Sequence, residues 1–121
     1  MNNKIELKAE YRGRNSTIFS GRSEGKEARE KLKIDSCDDN LNQKYIIEIP
    51  DDTTSFNPSF FLGLFFPSIK KIGTMEAFHD KYSIPLSNFT DMEAKQSIEE
   101  DLKDCYRRAE NELKSKTGLD L

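Results

Sequence analysis

Hydrophobic and polar positions alternate along the first part of the chain. Ile5, Leu7, Ala9 and Tyr11 are separated by Glu6, Lys8 and Glu10, a period of two that predicts a strand with one buried face. Arg12-Gly13-Arg14-Asn15 supplies the glycine and asparagine of a turn, and Ser16-Thr17-Ile18-Phe19 is placed to return as a second strand. The expected opening element is therefore a β-hairpin. Beyond Gly21 the period lengthens. Ala28 and Leu32 stand four apart within EGKEAREKLK, a run of good helix formers with Ser23 positioned as its cap. Asp35 to Gln43, DSCDDNLNQ, shows no period and reads as a loop. Tyr45 to Ile49 is the clearest strand, and its nearly continuous apolar character predicts a central place in the sheet.

The second half is helical in pattern. Pro50 to Ser55 is turn-rich, and Asn57-Pro58 marks a helix start with a capping side chain and a proline at the first helical position. FFLGLFF, Phe60 to Phe66, then reads as a buried helix. Pro67 is expected to end or kink it, with Ile69 and Ile72 carrying the apolar face on to Gly73. Thr74 caps a further short helix whose Met75, Phe78 and Tyr82 share a face, and Ile84-Pro85-Leu86 reads as a short edge strand. Thr90-Asp91-Met92-Glu93 fits a capping box. Behind it Ala94, Ile98, Leu102, Cys105, Ala109 and Leu113 form the stripe of a long amphipathic helix that stops before Gly118.

Composition narrows the class. A chain of 121 residues and 14.0 kDa is the size of one domain with its own core. The net charge of -3 and the interleaving of 19 basic with 22 acidic residues argue against a nucleic-acid footprint or an anionic membrane surface. No apolar stretch reaches the length of a membrane span and the N-terminus has no secretory pattern, so a cytoplasmic protein is expected. Cys37 and Cys105 lie far apart without a paired motif and are expected to remain thiols. Abundant lysine, asparagine and isoleucine point to an AT-rich bacterial coding sequence.

Candidate chemistry is sparse. Ser20 to Glu30, SGRSEGKEARE, places two glycines and a lysine at a helix start, but Gly21 and Gly25 have only three residues between them. Glu27 stands where a phosphate loop needs a hydroxyl. What remains is a weaker anion-binding candidate: Gly21, Arg22, Gly25, Lys26 and Arg29, an arginine-bearing helix N-terminus. His79 is the single histidine, so no histidine-based metal site is expected, and no catalytic residue or cofactor is assigned. Asp51-Asp52 fits a turn better than a cation site. Ser59, in the first turn after Asn57-Pro58, stands where backbone amides favour a phosphate dianion, although helix-start propensity also explains a serine there.

Two segments resemble a known family. Tyr45 to Gly73, YIIEIPDDTTSFNPSFFLGLFFPSIKKIG, and Ser20 to Asp35, SGRSEGKEAREKLKID, are similar to the STAS-like domains of unknown function, relatives of the anti-sigma factor antagonists. The matching residues are Gly21, Arg22, Gly25, Arg29, Ser59, Phe60 and Pro67. The resemblance implies a single α/β domain over residues 1–121, with a small mixed sheet packed by helices. It also implies a non-enzymatic regulatory module that binds another protein, often a histidine-kinase-like ATPase, and in some members is switched by phosphorylation. Ser59 maps to the switched position, with Thr53, Thr54, Ser55 and Asn57 beside it. The antagonists carry an Asp-Ser-Ser-Gly-like motif where this chain reads Asn57-Pro58-Ser59-Phe60. The expected contact surface is Asp51 to Ser59, on a monomer or weak homodimer, and the alternative is a small-anion or nucleotide-binding protein using Gly21 to Lys26.

Overall fold

A computed structural model of the protein describes residues 3–13 and 15–117. Arg14 and Gly118, assigned above to a turn and to a helix stop, lie outside the described residues. In chain order the elements are β1 (Lys4–Glu6), a 3-10 turn over Ala9–Arg12, β2 (Ile18–Phe19), α1 (Arg22–Leu32), α2 (Ile34–Asp39), β3 (Tyr45–Glu48), β4 (Ser55–Phe56), α3 (Pro58–Ile72), α4 (Met75–Lys81), β5 (Tyr82–Ser83) and α5 (Met92–Thr117). The class is the expected α/β one with a long C-terminal helix. Two details differ: the N-terminal hairpin does not form, and the sheets are parallel rather than mixed.

The reason lies in what β3 and β4 offer. β1 runs parallel to β3 with Lys4 opposite Ile46, Ile5 opposite Ile47 and Glu6 opposite Glu48, and β5 flanks β3 on its other side. The β1 ladder closes where the Leu7 N–H donates to the Glu48 carbonyl at 2.9 Å. Past that point the alternating Ala9 and Tyr11 fall on the 3-10 turn. β2 is drawn to β4 instead, parallel, with Phe19 opposite Phe56. Phe19, Phe56 and Phe60 bring their ring centroids to 4.9–5.6 Å of one another. Such pairs contribute about 0.5–1.5 kcal/mol beyond their buried area, which an exposed two-stranded hairpin does not offer.

α3 is the centre of the core. Phe60 to Phe66, Ser68 and Ile69 are all buried, as expected of a helix that is apolar on every side. It continues through Pro67 instead of ending there, because Ser68 and Ile69, fully buried beyond the proline, hold the chain helical. Gly73, at φ 104°, closes it with an N–H to the Ile69 carbonyl at 2.8 Å. α1 crosses α3 backbone to backbone: a Cβ on Gly25 would collide with the Phe60 carbonyl, and one on Gly63 with the Arg22 carbonyl.

Four smaller expectations shift. Ser23 lies inside α1, whose N-cap is Gly21 at φ 95°. Part of the expected Asp35–Gln43 loop is α2, set off from α1 by Lys33 in the left-handed region, because Ile34 is fully buried and Asp38 has buried partners. The edge strand is Tyr82–Ser83 rather than Ile84–Leu86. Asp91, not Thr90, caps α5, its Oδ1 accepting from the Glu93 and Ala94 amides at 2.9 and 3.3 Å. Thr74 caps α4 as expected, its Oγ1 accepting from the Ala77 N–H at 3.1 Å.

Candidate functional site

The β2–β4 pair delivers two helix starts to one place, because α1 begins three residues after β2 and α3 two residues after β4. Ser59 is exposed in the first turn of α3, and its Oγ accepts the Gly21 N–H at 3.0 Å, joining the two starts. Around it the two segments are cross-linked by short polar side chains. Thr17 Oγ1 and Thr54 Oγ1 lie 2.6 Å apart, Asn57 Nδ2 donates to Ser20 Oγ at 3.0 Å, and Ser55 Oγ donates to Asn57 Oδ1 at 3.2 Å. Asn57 occupies the cap position of α3 but makes no capping bond, since its side chain is committed to Ser20 and Ser55. Ser59, Thr54, Ser55 and Asn57 are thus brought together, with Ile18 exposed beside them on β2.

Asp51 to Ser59 is anchored from two sides. Arg12, with a side chain only 5% exposed, holds the more exposed Asp52 by both carboxylate oxygens at 2.8 and 3.1 Å and also reaches Thr53 Oγ1 at 2.9 Å. The guanidinium lies over the Phe19 ring, 5.7 Å from its centroid, and its buried Nε has no hydrogen-bond partner among the described residues. The Asp52 carboxyl is held below its usual range, first by the hydrogen bonds from Arg12. Thr53 is therefore not available as a surface hydroxyl; it is fully buried. On the opposite edge of β4, Asp101 of α5 accepts the Phe56 N–H at 2.9 Å. Outer β2 is closed by Ser16, whose Oγ accepts from the Ile18 N–H at 3.1 Å and donates to the Ile18 carbonyl at 3.3 Å.

The anion candidates do not meet around one cavity. The Gly21 amide serves Ser59, and the Gly25 amide serves the Gly21 carbonyl at 3.0 Å. Gly25 is buried where α1 meets α3, which gives that glycine a packing role. Arg22 pairs with Glu112 at 2.9 Å and lies over Phe66. Lys26 points to solvent. Arg29 faces inward: Nη1 donates to the Leu64 carbonyl and to Ser68 Oγ, both at 2.8 Å, and Nη2 donates to Asp35 at 2.6 Å and Asp38 at 2.8 Å.

Asp38 is the hub of that buried network. Its Oδ2 takes Arg29 and Ser68, and its Oδ1 takes the Tyr82 hydroxyl at 2.6 Å. Burial first, and then the bond to Asp38, push the Tyr82 phenol far above its ordinary range. Arg29, Asp38, Ser68 and Tyr82 belong to α1, α2, α3 and β5, so the cluster is a buried joint between four elements. A cavity of about 590 Å³ opens nearby between the α2–β3 loop, the end of α3 and α4, with Lys44, Lys71 and Lys81 set against Asp38, Asp39 and Asp80.

Neither Arg12 nor Asp38 was legible as a site residue, because single charges inside polar runs carry no period. Arg29 had a faint signal in sitting next to the Ala28–Leu32 stripe. Both cysteines are free thiols; burial raises the pKa of each, most for Cys105. His79 lies on the surface of α4, with its ring packed against Tyr106 so that the imidazole is partly shielded from water, and this partial desolvation lowers its pKa. Among the described residues no group of three or more His, Cys, Asp or Glu is placed to hold a metal ion, and no helix is long and apolar enough to cross a membrane. The chain is thus an α/β domain whose most assembled surface feature is the paired start of α1 and α3. Comparison with protein-family models, with curated proteins and with solved structures finds no match.

Proposed function

We propose that this chain is a non-enzymatic, cytosolic bacterial regulatory module that works by binding another protein, with the Asp51–Ser59 segment and the start of α3 as its contact surface. The observation that carries this reading is the exposed Ser59 hydroxyl, which holds the Gly21 N–H and so couples two helix starts through one neutral bond. A phosphate on Ser59, or a partner's acidic group, would meet the positive ends of both α1 and α3. It would also displace the hydroxyl from Gly21 and bring negative charge toward Glu24, whose carboxylate lies against Gly21. Binding and modification therefore act on the same bond. The resemblance to STAS-like domains supports the same reading and makes a histidine-kinase-like ATPase the partner class to test first.

The experiment is a tagged pull-down from the native cytosol with the wild type, Ser59→Ala and Ser59→Glu, and mass spectrometry of the Asp51–Lys70 peptide. A regulator retained by the wild type and Ser59→Ala but lost by Ser59→Glu supports the switch. Equal recovery by all three removes Ser59 from the contact. A melting temperature raised by nucleotide or phosphate, equivalent to about 2.7 kcal/mol at a hundredfold excess over Kd, would transfer the function to the Gly21–Lys26 turn.

A further inference from the structure

Among the described residues the two sheets have four outer edges, those of β1, β5, β2 and β4, and three of them are closed. Ser16 bonds both the N–H and the carbonyl of Ile18 on the outer side of β2. Asp101 takes the Phe56 N–H on the outer side of β4, and the Tyr82 N–H of β5 is spent on the Phe78 carbonyl of α4. The outer edge of β1 is left open. Asn3 and Leu7 turn their backbone groups toward β3, the Asn3 carbonyl accepting from Ile46 and the Leu7 N–H donating to Glu48, both at 2.9 Å. Backbone groups alternate in direction along a strand, so those of Lys4 and Glu6 face away from the sheet, where no strand lies beside them.

An open edge is a template for another strand, and a lysine on it commonly keeps one off. Here Glu6 follows Lys4 two residues on, and the two make the edge complementary to itself. Copies related by a two-fold axis meet through the same patch, so β1 would lie antiparallel to β1. Only the outward-facing residues can exchange bonds, which limits the registers that Lys4 and Glu6 allow. One sets Lys4 opposite Lys4 of the second copy and another sets Glu6 opposite its Glu6, and like charges directly opposite destabilise a pair. The register centred on Ile5 instead sets Lys4 opposite Glu6 on both sides of the axis, each pair exchanging both of its backbone bonds. Within one chain Glu6 lies opposite Glu48, and the Lys4 Nζ is 3.1 Å from Glu48. The second copy places a lysine on the other side of Glu6. Ile5, half-buried and packed against the core, meets its own copy at the axis.

We propose that the open edge of β1 pairs with a second copy of this chain, antiparallel and in the register centred on Ile5, so that the two β1-β3-β5 sheets become one continuous sheet. The contact is short and falls below the area of a stable dimer, so association is weak and concentration-dependent. It shares no residue with the surface around Ser59, which remains accessible in the dimer.

The test is sedimentation equilibrium of the full chain up to about 1 mM, where weak pairs assemble, with amide exchange followed by NMR. The mass should rise with concentration, and the Lys4 and Glu6 amides should exchange more slowly as it does, those of Ile5 and Leu7 changing less because they already face β3. Lys4→Glu and Glu6→Lys each turn both cross-strand pairs repulsive and should weaken self-association about tenfold. Mixing the two variants should restore association as a heterodimer, a gain that misfolding of either variant would not produce, and Ser59→Glu should leave the wild-type dimer unchanged. A mass that stays monomeric over the whole range would overturn the proposal and leave the edge to a strand of another protein. So would a mixture no more associated than its components, a dimer indifferent to both charge variants, or protection centred away from β1.

Discussion

Three donors converge on the Asp38 carboxylate, and Arg29, Ser68 and Tyr82 are as buried as the acid they serve. Removing one partner of a buried ion pair leaves the other charge uncompensated, at a cost of about 3–5 kcal/mol. Asp38→Ala should lose about that much in urea denaturation, with Asp38→Asn losing less because it keeps an acceptor. Asp52 is mostly exposed, so its pair with Arg12 is screened by solvent and salt, but its pH dependence has a definite sign. The folded-state pKa is depressed. Its contribution is therefore present above the unfolded value, about 3.9, and is lost as pH falls through the lower folded value. The stability difference between wild type and Asp52→Asn should be measurable at about pH 6 and disappear by about pH 2; a constant difference would rule the pair out. At this scale little was legible. Arg12 meets Asp52 across 40 positions of sequence and Tyr82 meets Asp38 across 44, and no local spacing marks either pair.

Elements were read more securely where a pattern ran long. α5 shows its stripe of Ile98, Leu102, Cys105 and Ala109 buried as the period requires. α3 starts at Pro58, directly after Asn57, although the cap bond expected of Asn57 is absent. Replacing the actual cap of α5, Asp91→Ala, should cost about 1 kcal/mol, read as a lower denaturation midpoint. Gly25→Ala tests the α1–α3 crossing. Helix propensity alone would stabilise by about 1 kcal/mol, but the new Cβ meets backbone atoms of α3 that cannot step aside. Overpacking of this kind costs about 1–3 kcal/mol, and net destabilisation is the expected result. A more stable Gly25→Ala would mean that the helices separate freely. The short strands were misjudged for a physical reason. Two or three residues of alternation fit a hairpin or a crossover equally well, and the Phe19–Phe56–Phe60 contact decided between them.

At the scale of the whole molecule one hydrophobic cluster runs from Leu7 to Ala109 and includes every helix and both sheets. A single core predicts a single cooperative transition. The chain has no tryptophan, so coincidence of tyrosine fluorescence with far-UV circular dichroism across a urea titration is the check, and separated midpoints would show two folding units.

The sequence by itself determined what depends on local spacing and composition: the class, the buried central helix and the long amphipathic C-terminal helix. It also put Ser59 in the first turn of a helix. Only the tertiary structure decided which strands pair, that they pair in parallel, that Arg29 turns inward to Asp38 and Ser68, and that the Ser59 hydroxyl holds the Gly21 amide. Each of these joins residues far apart in the chain. Their energies come from burial and from polar groups that must find partners once water is excluded, and no window of neighbouring residues contains that information.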